Sequence, residues 1–212
     1  MSNLEFNKTD IQGWEQRYRA AFINSLGGFK SLVLVGSRNL NGSSNLAPFS
    51  SLFHIGANPP LFGLIFRPDT VERHTLSNIL SSRVFTVNHV AESFYKAAHQ
   101  ASARYPAEVS EFDATGLTEE IKPGFYAPFV KESHIKIGAA FRQKIDIERN
   151  GTIMLLAEIK YVSVPEKAIM ADGFVDLEKA GTVTCSGLDS YHTTNRIARL
   201  SYAKPDTVPT IL

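Results

Sequence analysis

Residues 45–68 read NLAPFSSLFHIGANPPLFGLIFRP, an apolar run broken by Ser50 and Ser51, by Pro59-Pro60 and, at its far end, by Arg67. Taken as strands, NLAPFSSLFHIG is one and PPLFGLIF is the next. The two prolines then stand at the start of the second strand, where a missing N–H does least harm. Upstream, SLVLVGS at 31–37 is a short Val- and Leu-rich strand. It is followed by Asn41-Gly42, a dipeptide that accepts positive φ in a tight turn. These segments predict the first three strands of an antiparallel sheet, and the question they raise is why hydroxyls and a guanidinium interrupt it.

Working outward, the period changes several times. WEQRYRAAFINSLGG places Trp14, Tyr18, Ala21, Phe22 and Leu26 at helical spacing and ends in Gly27-Gly28, which predicts a helix over about 12–28. HTLSNILSS sets Leu76, Ile79 and Leu80 on one helical face behind Thr75, a short helix interrupting the strands. VFTVNHV resumes the sheet, AESFYKAAHQAS is a second helix candidate, and 105–122 reads as a loop with few buried positions. ESHIKIGAAFRQKIDIERNGTIMLLAEIKYVSVP reads as two long strands joined by Arg149-Asn150-Gly151-Thr152. Short β segments with inserted helices and no regular strand–helix alternation predict a mainly β chain: an antiparallel barrel decorated by helices, not a doubly wound sheet. The whole chain is expected to be one domain, with the barrel over about 30–165 and an extension over 166–212. Within that extension GLDSYHTTNRIARLSYAKP fits no regular element.

Length and composition are consistent with this. A chain of 212 residues suits one domain that buries a core without disulfide or metal staples. Cys185 is the one cysteine, so no internal bridge can form and a reducing, cytoplasmic location is expected. The N-terminus lacks the apolar core of a signal peptide, and no stretch approaches the roughly 20 apolar residues of a membrane span. With 22 basic against 21 acidic residues, interleaved along the chain, neither a nucleic acid nor a membrane is an expected partner.

Familiar catalytic patterns are missing. No GxGxxG follows a strand, no GxxxxGK[ST] is present, and the GxSxG frame is absent around Ser186-Gly187. The six histidines show no metal-ligand spacing. What remains is a polar group around the opening stretch: Ser50 and Ser51 on one strand, Arg67 at the end of the next, then Arg73, His74, Thr75 and Asn78 entering a helix. Hydroxyls, guanidinium groups and free N–H groups at a helix start are the set that binds phosphate. The plainer alternative makes the serines part of a solvated strand face and Thr75 an ordinary helix cap. A phosphate clamp alone is too weak for micromolar affinity, which needs about 8 kcal/mol. The ligand would also carry a flat ring, beside which Phe49, Phe53, Phe66 and Phe85 are available to pack.

In this order, NLAPFSSLFHIGANPPLFGLIFRP, RHTLSNI, VFTVNHV, SEFDATGL and GLDSYHTTNRIARLSYAKP resemble the flavin reductase-like family with the FMN-binding split-barrel fold, its flavoredoxin-type members above all. The resemblance spans about Arg17 to Pro205. It implies a homodimer holding FMN close to the subunit interface. It further implies that Asn45, Ser50 and Ser51 lie along the flavin, and that Arg67 ends the neighbouring strand near the phosphate. Arg73, His74 and Thr75, with Asn78 behind them, would grip the phosphate and ribityl chain, and Asn88 would stand beside the ring. Short-chain flavin reductases of this fold carry a GDHT-like turn whose histidine is associated with nicotinamide binding. Here the matching turn reads RNGT, with Gly151 in the histidine's place. That departure shifts the expectation from a simple NAD(P)H:flavin reductase towards a protein that retains FMN and passes electrons to an acceptor. Alternatively it is an electron carrier served by a separate reductase or redox partner protein.

Overall fold

The computed structural model describes residues 2–68, 73–106 and 108–212. Asn7 opens the first helix, α1 (Lys8–Gly13), with a capping box closed by Asp10. The single helix expected over 12–28 is in fact broken. Trp14 is extended (ψ 152°) and ends α1, while the Glu15 carboxylate caps α2 (Gln16–Leu26) by accepting from the N–H groups of Arg17 and Tyr18. A C-cap at Trp14 and an N-cap at the adjacent Glu15 override a continuous helical period. Phe6, Trp14, Tyr18 and Phe22 form an edge-to-face cluster there.

β1 (Lys30–Ser31) leads into β2 (Val33–Arg38), β3 (Ser44–Phe49), β4 (Leu52–Ala57) and β5 (Pro60–Phe66). α3 (His74–Ser82), β6 (Val84–His89), α4 (Tyr95–Gln100) and α5 (Glu111–Thr115) follow. Then come β7 (Glu119–Glu120), β8 (Phe129–Val130), β9 (Lys136–Ile147), β10 (Thr152–Ser163), β11 (Thr184–Ser186) and β12 (Ser190–His192). Seven strands make one antiparallel sheet in the order β3-β2-β6-β9-β10-β5-β4. Its two edges, β3 and β4, are consecutive in the chain with only Ser50 and Ser51 between them. The sheet must therefore curl until its edges meet at that corner. The run 45–56, expected as one strand, is split there, because the Ser51 hydroxyl donates to the Ile65 carbonyl (2.8 Å) and accepts from the Ile65 N–H (3.2 Å). That pair of bonds takes the place of a strand partner on β5 and turns the chain.

Alternation along β2 feeds two cores. Val33 and Val35 point into the barrel with Leu64, Phe85, Val87 and Leu155. Leu32 and Leu34 face outward, where Leu46, Phe94 and Phe112 bury them under α4 and α5. A strand covered on both faces reads as a continuous apolar run. The loop expected over 105–122 instead holds α5, with Phe112 and Leu117 buried. Five helical residues are too few for a period to be legible. The hairpin expected at Arg149–Thr152 is present: Gly151 has φ +72°, and the Asn150 side chain accepts from the Thr152 N–H and hydroxyl.

Residues 193–212 run over the surface almost wholly exposed. They pair back on themselves at Leu200 and Ile211 and are pinned by Arg196 to buried Asp176 (2.9 Å) and by Arg199 over the Phe174 ring (4.0 Å). No helix among the described residues is long and apolar enough to cross a membrane.

Candidate functional site

A cavity of about 600 Å³ opens along the free edge of β3. Its size lies within the range of small-molecule sites. Asn45, Ala47, Pro48, Phe49 and Ser50 form its length, Ile65, Phe66 and Arg67 at the end of β5 form one wall, and Arg73, His74 and Thr75 close one end. Of the nine residues expected at a phosphate and flavin site, Asn45, Ser50, Ser51, Arg67, Arg73, His74 and Thr75 line this one space.

The end formed by α3 brings a helix start and a guanidinium to the cavity. Arg73 occupies the cap position with extended backbone and makes no side-chain cap bond itself; the first N–H groups of a helix are those that lack an intrahelical acceptor. Such a terminus attracts negative charge. Thr75, read as a possible cap, lies inside the helix. Its buried hydroxyl accepts from the Asn45 carboxamide (2.9 Å) and ties the helix start to β3. Arg73 is half-buried, with Nε donating to the Pro68 carbonyl (3.0 Å), and it lines the cavity.

The ring-sized part has apolar sides. Phe49 and Phe66 meet edge to face at 4.8 Å and both line the cavity. Phe53 and Phe85, also available on sequence grounds, go elsewhere. Phe53 lies across Gly63, where a Cβ would sit 2.2 Å from its ring, and Phe85 is buried in the barrel against Phe62. As a sheet edge, β3 also offers backbone groups. Its Leu46 N–H points away from β2 and is taken by the Glu111 carboxylate (2.9 Å), while Pro48 has no N–H to offer.

Three expected residues have other placements or other duties. The Ser51 hydroxyl is occupied by Ile65. Asn78, one turn behind Thr75, is buried outside the cavity and donates to Ser37 Oγ (3.2 Å), which docks α3 on β2. Asn88 is fully buried. Its carboxamide donates to the Leu34 carbonyl (3.1 Å) and Thr86 Oγ1 (2.9 Å) and accepts from the Val130 N–H (3.0 Å). It is thereby placed between strands and away from the cavity.

The cavity also contains groups not expected from sequence. Ala101, Ser102, Ala103, Arg104 and Tyr105 form a further wall, and Glu111 brings a carboxylate into it. Burial pushes the Glu111 carboxyl above the usual range, against the opposing effects of the Leu46 N–H, its own N–H and nearby His74. No local pattern marks these residues, because their place depends on how α4 and α5 pack on β3. Ser50 contacts the buried Cys185 thiol, which burial pushes up. A second groove, of about 630 Å³, is lined by Glu108, Asp113 and Glu119, and its Arg38 is already paired with Glu119. That groove repels anions, so the β3 edge is the better candidate.

A curled antiparallel sheet with a cavity at its closing corner is the architecture of a split barrel. The flavin reductase like domain matches residues 28–175, and the chain belongs to the flavin reductase-like family. A candidate flavin reductase with a split barrel domain from Shewanella frigidimarina NCIMB 400 is 48% identical in sequence. It superposes with a TM-score of 0.92 over 95% of this chain and 100% of that one. The flavoredoxin of Desulfovibrio vulgaris (Miyazaki F) is 21% identical, with a TM-score of 0.69 over 85% of this chain and 92% of its own, and shares the fold. An uncharacterized protein of Aquifex aeolicus (strain VF5) is 31% identical over 103 residues, 48% of this chain and 53% of that protein.

Proposed function

We propose that this protein binds FMN in the cavity along β3 and acts as an FMN-dependent oxidoreductase. The observation that carries the reading is the meeting, in one space, of the α3 start bearing Arg73 and His74 with the apolar side formed by Phe49 and Phe66. A phosphate on a flat heteroaromatic ring matches both parts. When bound, FMN supplies the redox chemistry, taking up electrons from a donor and releasing them to an acceptor. The chain's residues bind and orient: the α3 terminus and Arg73 hold the phosphate, Asn45 fixes Thr75, and Glu111 holds the β3 edge in place.

A homodimer is part of the proposal. Tyr18, Leu26 and Phe29 near one end, and Ile197, Tyr202, Val208 and Ile211 near the other, are large apolar side chains left mostly in water. An apolar surface of that extent favours association with a second copy. A second reading, a carrier that receives electrons from a redox partner protein, is favoured by the 148–151 turn. Gly151 adopts φ +72° and lies against Pro68, next to Arg67, and offers no side chain to a nicotinamide.

The test is the visible spectrum of the purified protein after loading with FMN and desalting. Retained, perturbed flavin bands are the expected result; a colourless protein refutes the proposal. Steady NAD(P)H oxidation with added FMN then separates the enzyme from the carrier.

A further inference from the structure

We propose that FMN binding takes up a proton at Glu111, so that the flavin phosphate and a neutral carboxyl belong to the same bound state; this rests on the FMN reading above. Glu111 opens α5 and lines the cavity shared by Arg73, His74 and Thr75. One carboxylate oxygen, Oε2, accepts from the Leu46 N–H on β3 (2.9 Å). The other, Oε1, has no hydrogen-bond partner among the described residues and is not sealed from solvent. Leu46 follows Asn45, whose carboxamide reaches Thr75 (2.9 Å), so Glu111 and the α3 start hold adjacent residues of one strand. An anion at the α3 start therefore arrives beside a carboxylate.

The charges around Glu111 decide what happens next. Arg73 and His74 from α3, Arg67 from the end of β5, and Arg104 and Tyr105 from the segment after α4 share its cavity. Glu108 and Asp113, on either side of it in the chain, line the neighbouring groove. No ion pair joins Glu111 to a cation among the described residues. Burial already favours its neutral form, and His74 is the nearby charge that favours the ionised one. A phosphate at the α3 start engages that cation and adds like charge, and both changes push the carboxyl towards its neutral form. Binding then consumes one proton, which ends on the Glu111 carboxyl, and no bond of the flavin changes. Affinity rises as pH falls through the window between the free and bound pKa values of Glu111, and drops to a lower plateau above it.

The test is calorimetric titration of FMN into the flavin-free full-length protein, wild type and Glu111→Gln, in buffers of different ionisation heat from about pH 5 to 7.5. The phosphate's own ionisation is common to both proteins, so a difference in protons taken up per FMN belongs to Glu111. Wild type should take up more, by at most about one proton, and its affinity relative to the variant should fall by up to about tenfold per pH unit through the window. A protonated-carboxyl band that moves on 13C-glutamate labelling should also appear in the infrared difference spectrum of wild type on FMN binding, a measurement that needs no variant. If wild type fails to bind FMN, the flavin reading falls and this inference with it. If FMN binds but the two proteins take up equal numbers of protons, or no such band appears, the inference alone is overturned.

Discussion

The Asn45 carboxamide donates to the Thr75 hydroxyl at 2.9 Å with both groups buried, joining the open edge of the sheet to the first turn of α3. Anion binding at that turn depends on its position relative to β3, and this bond sets it. Thr75→Val keeps the shape but leaves the Asn45 donor without its partner. A cost of about 1–3 kcal/mol is expected, read as a lower urea midpoint. Thr75→Ser, which restores the acceptor, should recover most of it. Arg73→Ala combined with Thr75→Ala should weaken FMN binding at least about tenfold; unchanged affinity in a folded double variant would remove the phosphate assignment.

Asn88 tests the division between binding and scaffolding. Asn88→Ala removes three side-chain hydrogen bonds, to Leu34 on β2, Thr86 on β6 and Val130 on β8, and takes this acceptor from the buried Val130 N–H. The expected loss is about 2–4 kcal/mol, with FMN affinity of the folded protein unchanged. A variant of normal stability that has lost FMN would return Asn88 to the site.

Gly36 sits where the chain has no room. A Cβ there would lie 2.2 Å from the Pro128 carbonyl oxygen and 2.5 Å from Thr86 Oγ1, which are hydrogen-bonded to each other across the face of β2. Backbone cannot yield cheaply, so Gly36→Ala should cost about 3 kcal/mol or more. Gly42→Ala, with open space around it but φ +91°, should cost about 1 kcal/mol. Thermal melts of the two variants rank the effects; equal losses would mean the segment at 128 gives way.

His89 makes the fold acid-sensitive. Burial lowers its pKa to about 4, below the usual value of about 6.5, and its Nδ1 faces Thr182 Oγ1 at 3.3 Å. The unfolded chain therefore binds the proton first, and stability present above pH 6.5 is lost as pH falls towards 4. The loss amounts to about 2–3 kcal/mol. His89→Gln should flatten that slope, measured as urea midpoints at pH 7 and 4.5.

What the sequence disclosed follows from where the signals lie along the chain. The long β9–β10 hairpin was legible because Asn150-Gly151 and a period of two are local. The α3 end of the cavity was legible because Arg73, His74 and Thr75 are contiguous. The corner at Ser50-Ser51 was not, since what breaks the strand is a bond to Ile65, 14 residues away. Arg104 and Glu111 were also missed: they reach the cavity only through the packing of Ala101 and Phe112 under β3. Asn88 was misplaced because a polar residue in a strand reads the same whether it faces a ligand or bridges strands.

Glu111 offers a test of the same cavity from the opposite charge. Its folded-state pKa is raised, chiefly by burial, so just above the ordinary carboxylate range the native state holds a proton that the unfolded chain has released. Stability therefore falls as pH rises through that window, the reverse of the His89 effect. At neutral pH the ionised carboxylate also opposes an anion in the cavity. Glu111→Gln keeps an oxygen to accept from the Leu46 N–H while removing the charge. It should raise the urea midpoint at pH 7.5 relative to wild type, leave it nearly unchanged at pH 4, and tighten FMN binding at neutral pH. A variant that loses stability at pH 7.5 would mean that the charge-assisted bond to Leu46 outweighs the cost of burying the carboxylate. FMN binding that weakens would mean that Glu111 itself touches the ligand.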